Sequence, residues 1–267
     1  MSTTLLHDSV ATDTARVSAQ QRYLFDLQGF LVVPQALPME LIAELNRHLD
    51  QACRRWVAAE ATTHRFMSVL DWGPALRAVI DCPMIRPFLQ EFIGPGYRLD
   101  HDYADIIRSG HSPIGASLHG GNTPYDGTCS YQHRDGRIRS GLLAVAFNLH
   151  DVLPGDGGFA CIPGSHKANE PLPVDWIGLD QPAGCVQPVT GPAGTAIIFT
   201  EALTHGTLPW RGKRERRTLF YKYSPSGMSW SARYYDAQAY PELSPAERAL
   251  LEAPNARYHG REPARQA

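Results

Sequence analysis

Four short apolar runs between residues 141 and 225 constrain the fold of this chain more than any other feature. They read GLLAVAFNLHDV, GGFACIP, GTAIIFT and RTLFYKYSP, and turn-forming stretches such as LPGDGG separate them. Each run is short for a helix and rich in the apolar and aromatic residues that favour strands. Several short strands at this spacing predict a β-sandwich or a β-barrel.

The amino-terminal part of the chain has a different pattern. The run GFLVVP at 29–34 predicts a strand, and residues 37–61 then carry apolar side chains at helical spacing, with Pro38 in the first turn. A second helical stretch at 74–94 is interrupted by Pro83. The sequence therefore predicts a strand and helices ahead of the sheet.

The alternation typical of strands begins in YRLDHDYADIIR, and the pair Ser244 and Glu247 predicts a capping box that opens a last helix. We expect one α+β domain with a mainly β core. Its predicted parts are a mobile amino terminus (1–19), a strand with helices (20–96), a sheet core (97–225) and a final helix with a loose tail (226–267).

Charge and cysteine content exclude several classes of partner. The 267 residues include 25 Lys and Arg against 27 Asp and Glu, so no strong field points to nucleic acid or a membrane surface. Five cysteines without a CxxC pair are typical of free thiols in a reducing compartment. With no secretory signal or spanning run, we expect a cytoplasmic monomer or homodimer that acts on a small molecule and binds neither nucleic acid nor membrane.

The triplet HRD at 133–135 is the first candidate for chemistry. In a kinase catalytic loop an Asn follows the Asp by five residues, but Ser140 stands there and no DFG triplet accompanies it. On a strand, His133 and Asp135 would project to one face and Arg134 to the other. An imidazole and a carboxylate so placed are two of the three ligands of a 2-His-1-carboxylate Fe(II) site.

Spacing alone does not identify such a pair. His48 and Asp50 have the same spacing, but they lie in the predicted helix, where two residues diverge by about 200° around the axis. They cannot chelate one ion. The metal interpretation of His133 and Asp135 therefore depends on their being on a strand.

A site of this kind needs a second histidine from elsewhere in the chain. His150 is too close along the same or the next strand to be an obvious partner for His133. His166 lies in the turn-like PGSHK, a kind of segment that is more often exposed. His205 follows the apolar strand GTAIIFT, and Arg216 and Arg217 lie eleven and twelve residues further on. If the chain turns back after His205, a guanidinium would lie near the metal, suited to bidentate pairing with a carboxylate.

Three motifs in this order resemble the phytanoyl-CoA dioxygenase family of Fe(II)/2-oxoglutarate oxygenases. They are the H-x-D pair, the run DGGFACIPGSHK, and HGT followed by an arginine eleven residues after its histidine. The opening DLQGFLVVPQALPMELIAELN is also similar to that family's usual strand and helix. The resemblance covers about residues 22–225.

The resemblance implies a fold and a set of site residues. The fold would be a double-stranded β-helix, a cupin-like jelly-roll barrel with helices flanking it. His133, Asp135 and His205 would bind Fe(II), with 2-oxoglutarate and O2 as cosubstrates. Arg216 and Thr207 would hold the distal carboxylate of 2-oxoglutarate. Arg217 competes with Arg216, since only one of two adjacent strand residues can point inward.

The substrate is less constrained. The loop 109–130 is long for a connector and well placed to cover the mouth of the site, so His119 is a candidate substrate contact, together with Tyr103 and Trp230. Bacterial members of the family often tailor specialised metabolites. The resemblance thus implies oxidation of an unactivated C–H of a polyketide, an amino acid or a sugar antibiotic, in antibiotic biosynthesis, by hydroxylation or oxidative cyclisation. A zinc-dependent hydrolase and a non-catalytic cupin-like binding domain are the alternatives.

Overall fold

The computed structural model describes residues 16–108 and 113–256. Residues 1–15 of the predicted mobile amino terminus and residues 257–267 of the predicted loose tail lie outside this range. The helices are α1 (Ala19–Gln28), α2 (Met39–Trp56), α3 (Pro74–Arg77), α4 (Arg86–Phe92) and α5 (Pro245–Leu250). The strands are β1 (Phe30–Val33), β2 (Thr63–Met67), β3 (Tyr97–Ile107), β4 (Tyr131–Arg134), β5 (Arg137–Ser140), β6 (Leu143–Asn148), β7 (Gly158–Cys161), β8 (Gln187–Pro188), β9 (Ala196–Thr200), β10 (His205–Leu208) and β11 (Arg216–Pro225).

The strands form two facing antiparallel sheets and a separate hairpin. The larger sheet has the order β1-β9-β6-β11-β3-β2, and the smaller sheet has the order β10-β7-β8. Strands β4 and β5 pair only with each other among the described strands. The expected α+β class with a mainly β core is confirmed.

Alternation along the strands divides the core into two regions. One face of the larger sheet meets the smaller sheet through a compact apolar cluster that includes Phe159 of β7, Phe199 of β9 and Phe220 of β11. The opposite face carries Leu219, Tyr221 and Tyr223, which pack in the main core cluster with helices α2, α3 and α4. Because the site residues described below lie on the first face, the helices support the site from behind.

Helix α2 forms where the sequence predicts it, and buries Ile42, Leu45 and Leu49 against the sheet. Pro38 is its N-cap rather than a residue of its first turn. The final helix has the predicted capping box between Ser244 and Glu247. No helix in the described ranges is long and apolar enough to cross a membrane.

Helix α1 is an element that the sequence analysis missed. It begins after Ser18, whose side chain forms a capping box with Gln21, and it ends at Gly29 in the left-handed conformation. Its apolar content is low, so the helical period is weak, but Phe25 is fully buried and stacks on Phe92 with ring centroids 3.9 Å apart. The helix is therefore held by packing more than by its own pattern.

Candidate active site

The HRD triplet lies at a hairpin turn. Strand β4 ends at Arg134, which pairs with Arg137, so Asp135 and Gly136 form the two-residue connection to β5. Both have left-handed backbone conformations, with φ of +53° and +72°, as type I′ turns require. Asp135 is therefore not a strand residue, and the prediction that it shares a strand face with His133 is wrong.

The hairpin packs outside the two facing sheets, against helix α1. Arg22 donates to the carbonyl oxygen of Gly136 at 2.9 Å, and the Tyr131 hydroxyl donates to Asp26 at 2.6 Å. The side chain of Asp135 is 82% exposed. These contacts place the hairpin turn on the protein surface.

The predicted metal ligands are consequently not assembled. Within residues 16–108 and 113–256, no three His, Cys, Asp or Glu side chains are grouped so that they could hold a metal ion as they stand. The structure therefore does not bring His133 and Asp135 to His205, because the Asp-Gly turn carries the carboxylate into solvent. A metal at His205 needs other partners.

The neighbour of His205 is His119. His205 opens β10 and is buried, while His119 lies in the loop before the hairpin and is exposed. The two residues form an isolated antiparallel bridge, in which each backbone N–H donates to the other's carbonyl oxygen at 2.9 Å. Their ring centroids are 4.3 Å apart. This pairing joins residues separated by 85 intervening positions.

Hydrogen bonds fix both imidazoles in the same tautomer. Nδ1 of His119 lies 2.9 Å from the Ser117 carbonyl oxygen, and Nδ1 of His205 lies 2.7 Å from that of Leu203. Because a carbonyl oxygen can only accept, each Nδ1 carries the proton, and Nε2 of each neutral ring keeps its lone pair. Such orientation by a backbone carbonyl is typical of metal-binding histidines.

The environment of His205 keeps its ring neutral. Phe199 and Phe159 lie beside it, with ring centroids 4.7 and 5.8 Å away. Burial lowers the pKa of His205 to about 4; Glu201 acts in the opposite direction, while the nearby His119 lowers it further. At neutral pH the ring is thus unprotonated, which is the form that binds a metal.

A buried ion pair lies close to the two histidines. Glu201 follows β9, and its Oε1 lies 2.7 Å from Nζ of Lys222 on β11. Burial alone would raise the pKa of Glu201, but Lys222 above all, with His205 and His119, holds it at about 2. Glu201 in turn raises the pKa of Lys222 against the effect of burial. Both groups are therefore charged at neutral pH.

Glycine at position 120 permits this arrangement. A Cβ on Gly120 would lie 2.7 Å from the carbonyl oxygens of both Glu201 and Leu203, and its φ is +77°. The backbone next to His119 can approach the 201–205 turn this closely only without a side chain. The motif HGG therefore brings His119 to His205.

Arg216 lies inside the molecule, as the resemblance implies. It is 2% exposed, and its Nε has no hydrogen-bond partner in the described part of the chain. Burial lowers the pKa of Arg216 to about 10, and Asp105 and Tyr103 raise it, so the group remains a cation. Both oxygens of Asp105 already accept from Arg65 at 2.7 Å.

The surroundings of Arg216 are suited to an anion. Thr218, the next inward residue of β11, has a buried Oγ1 that also lacks a partner among the described residues. A Cβ on Gly158 of the facing sheet would lie 3.0 Å from Nε of Arg216, so the glycine makes room for the guanidinium. A buried cation without a bound carboxylate is costly unless an anionic ligand pairs with it.

Arg217 has a structural role on the opposite face. Its guanidinium donates to Asp50 at 2.6 Å and to Glu215 at 2.7 Å, and it also bonds Asn46 of helix α2. Thr207 lies on β10 two residues after His205, where its N–H donates to the Gly115 carbonyl oxygen at 2.7 Å. Its contact with a cosubstrate stays a prediction.

The two aromatic candidates differ in their exposure. Tyr103 is buried and stacks on Phe220 with ring centroids 4.6 Å apart, so it forms part of the interior wall. Trp230 is 57% exposed and lies over His101, 5.0 Å from that ring. Their contacts with a substrate also stay predictions.

Asp100 anchors the loop that carries Trp230. Its carboxylate accepts from the backbone N–H groups of Trp230 and Ser231 at 2.9 Å each, and pairs with His101 and the buried Arg98. Burial would raise the pKa of Asp100, but the hydrogen bonds, led by that of His101, lower it to about 2. The ionised form is thus the one that stabilises the fold.

We expect Asp100→Asn to lower the melting temperature by about 5–10 °C at pH 7, since unpairing a buried charge costs on the order of 3 kcal/mol. The folded-state pKa lies below the unfolded value, so this stabilisation is present above about pH 4 and is lost as the pH falls toward 2. Thermal melts at pH 7 and pH 3 measure it, with the exposed Asp175→Asn as control. If the melting temperatures of Asp100→Asn and the wild type differed by the same amount at pH 7 and at pH 3, the stabilising role given to the ionised Asp100 would be contradicted.

Comparison with known proteins is consistent with this architecture. A sequence model of the phytanoyl-CoA dioxygenase (PhyH) family matches residues 116–218. No curated protein sequence matches the chain. The structure of HygX from Streptomyces hygroscopicus with nickel and 2-oxoglutarate bound is similar to this one, with a TM-score of 0.73 and 23% identity over 82% of this chain and 91% of that chain.

Two further structures of HygX give similar values. The structure with nickel, 2-oxoglutarate and hygromycin B bound has a TM-score of 0.71 and 24% identity over 82% of this chain and 92% of that chain. The iron-bound structure has a TM-score of 0.69 and 23% identity over 83% of this chain and 91% of that chain. At these identities the likeness establishes a shared fold. The resemblance to the phytanoyl-CoA dioxygenase family seen in the sequence is confirmed by the family match over residues 116–218.

Proposed function

We propose that the protein is a non-haem Fe(II)/2-oxoglutarate-dependent oxygenase. The observation that carries the proposal is the juxtaposed pair His119 and His205. In each residue Nδ1 is hydrogen-bonded to a carbonyl oxygen, so that the lone pair of Nε2 is available to bind a metal. Two imidazoles so oriented fit an Fe(II) ion. The family match and the iron and 2-oxoglutarate bound to HygX support the same cofactors.

The buried cation Arg216 supports 2-oxoglutarate as the cosubstrate. Its partnerless Nε and the partnerless Thr218 hydroxyl lie on the inward face of β11 and are suited to a carboxylate. We assign them to the distal carboxylate of 2-oxoglutarate, with Thr207 as a further donor. A zinc hydrolase would leave Arg216 without a role.

When bound, iron with 2-oxoglutarate and O2 supplies the oxidising chemistry, and one substrate C–H is the group oxidised. The residues of this chain supply position and environment. His119 and His205 fix the metal, Arg216 orients the cosubstrate, and Phe159 and Phe199 exclude water from the buried histidine. We further propose that the two facing sheets are the walls of a double-stranded β-helix.

We propose a small specialised metabolite as substrate, such as a polyketide, an amino acid or a sugar antibiotic, oxidised by hydroxylation or oxidative cyclisation. HygX, which was solved with hygromycin B, supports this class. The partly exposed Trp230 and Met67 near Tyr103 offer an apolar rim for such a molecule.

The test is cosubstrate turnover. The purified protein with Fe(II), ascorbate and 2-oxoglutarate in air is expected to release succinate and CO2, slowly without substrate and faster with an accepted metabolite. Liquid chromatography measures the succinate formed, and ¹⁴C-labelled 2-oxoglutarate allows the released CO2 to be counted. The same protein loaded with Zn(II) in place of Fe(II) is the control. Absence of succinate across a broad substrate panel, in protein that binds Fe(II), would exclude the oxygenase.

A further inference from the structure

We propose that Arg65 is a positioning residue for 2-oxoglutarate: its guanidinium holds the carboxylate of Asp105 and thereby keeps Arg216 free to bind the cosubstrate. The inference deepens the proposed function and rests on it. It accounts for a buried carboxylate that lies on the same sheet face as a cation on which an anionic ligand depends.

Asp105 shares a face of the larger sheet with the two groups assigned to the cosubstrate carboxylate. In the pairing of β3 with β11, Asp105 is directly opposite Thr218, so both side chains project to one face. Arg216 lies two residues before Thr218 and projects to that face too, as a diagonal neighbour of Asp105. Diagonal neighbours have Cβ atoms roughly 7–8 Å apart, within reach of a long side chain. A direct ion pair between Asp105 and Arg216 is therefore within the reach of these side chains.

The structure pairs Asp105 with Arg65 instead. Arg65 is opposite Asp105 on the other neighbouring strand, β2, and its Nε and Nη2 donate to the two carboxylate oxygens at 2.7 Å each. Such a bidentate pair engages both oxygens in a fixed geometry. Nε of Arg216 and Oγ1 of Thr218 consequently keep no partner among the described residues.

The ring of Tyr103 helps to hold Arg65 in this position. The guanidinium carbon lies 4.2 Å from the ring centroid, a cation–π contact, and Tyr103 itself stacks on Phe220. The side chain of Arg65 is 37% exposed, but that of Asp105 is only 4% exposed. Because water has little access to the carboxylate, the loss of Arg65 would drive Asp105 toward the remaining donors of its face.

Binding of 2-oxoglutarate to Arg65→Met tests the proposal. Methionine removes the cation, so Asp105 is expected to pair with Arg216 and to compete with the cosubstrate. We expect the Kd for 2-oxoglutarate, measured by calorimetric titration of the full chain with Ni(II), to rise about tenfold, as when Arg216 is available about one tenth of the time. KM for 2-oxoglutarate should rise with it, while kcat at saturating 2-oxoglutarate stays within about twofold of the wild type.

The double variant Arg65→Met/Asp105→Asn separates positioning from a structural role. It removes the competing carboxylate, so we expect the Kd for 2-oxoglutarate to return to within about threefold of the wild type. If the pair served the fold alone, the double variant would bind no better than Arg65→Met. The matched control is Arg86→Met, which breaks a bidentate pair of the same geometry with Asp81 on the surface and should leave the Kd unchanged.

The outcomes separate this inference from the function on which it rests. A Kd within twofold of the wild type in Arg65→Met, or a double variant that binds as weakly as Arg65→Met, would overturn it. If Arg65→Met does not fold, Arg65→Lys takes its place, with a smaller loss that Asp105→Asn again restores, since an ammonium cannot hold both oxygens as the guanidinium does. If Arg216→Met also binds 2-oxoglutarate like the wild type, the proposed function fails; if it loses binding while Arg65→Met keeps it, only this inference fails.

Discussion

Replacing Arg216 with methionine is expected to weaken 2-oxoglutarate binding by roughly 30-fold to several thousand-fold. Truncating one partner of a buried charge pair costs about 2–5 kcal/mol, and each 1.4 kcal/mol is a factor of ten. The large effect is expected because Arg216 is 2% exposed, so water cannot replace it as a donor. Calorimetric titration with 2-oxoglutarate in the presence of Ni(II) measures the loss.

The same substitution should stabilise the protein in the absence of cosubstrate. Arg216 is a buried cation whose Nε lacks a partner in the described part of the chain, and methionine fills much of its volume without that cost. Arg217→Met is the matched control: it should leave 2-oxoglutarate affinity unchanged and lower the melting temperature, since the bonds to Asp50 and Glu215 are lost. Weaker 2-oxoglutarate binding in Arg217→Met than in Arg216→Met would reverse the assignment.

Replacing either His119 or His205 with alanine is expected to reduce metal affinity by at least about 100-fold and to abolish turnover. Loss of a residue that only orients a metal ligand typically costs 10–100-fold, and loss of the ligand itself should cost more. The pair is joined by two backbone hydrogen bonds as well as by side-chain proximity, so the alanine variants are expected to keep the fold. Circular dichroism and Ni(II) titration together check this.

The surface hairpin provides the control for the histidine variants. His133→Ala and Asp135→Asn alter exposed residues of β4 and its turn, and we expect metal affinity and turnover within about twofold of the wild type. A tenfold loss of metal binding in Asp135→Asn would contradict the positions given to these residues. Together the four variants show whether the metal is bound by the interior pair, His119 and His205, or by the H-x-D pair, His133 and Asp135.

Much of the scaffold could be predicted because it depends on local patterns. Helix α2 carries its apolar stripe in the sequence. Because side chains alternate between the faces of a strand, only one of Arg216 and Arg217 could point inward, and the family's eleven-residue interval after His205 indicated Arg216. The capping box of Ser244 and Glu247 was equally visible. Each of these signals lies within about ten residues of chain.

The turn at Asp135 has a local signal in the sequence that the prediction of a continuous strand overlooks. Asp-Gly between two short alternating segments is a strong indicator of a type I′ hairpin, and YQHR and RIRS are such segments. A single strand over the six residues YQHRDG would place His133 and Asp135 on one face, whereas the Asp-Gly turn separates them.

The role of His119 could not be derived from local sequence. It lies in a glycine-rich loop without strand periodicity, and its partner His205 is far along the chain. A weaker signal is the pair of glycines after His119, which permit close backbone approach. It does not identify a contact until the sheets are assembled, because the pairing is set by tertiary structure.

The most direct measurement of the central claim is the visible absorption of the protein with Fe(II) and 2-oxoglutarate in the absence of O2. Chelation of iron by the 2-oxo acid is expected to give a weak charge-transfer band in the wild type and in His133→Ala, and no band in His119→Ala. A band that persists in His119→Ala and disappears in His133→Ala would contradict the site described at His119 and His205.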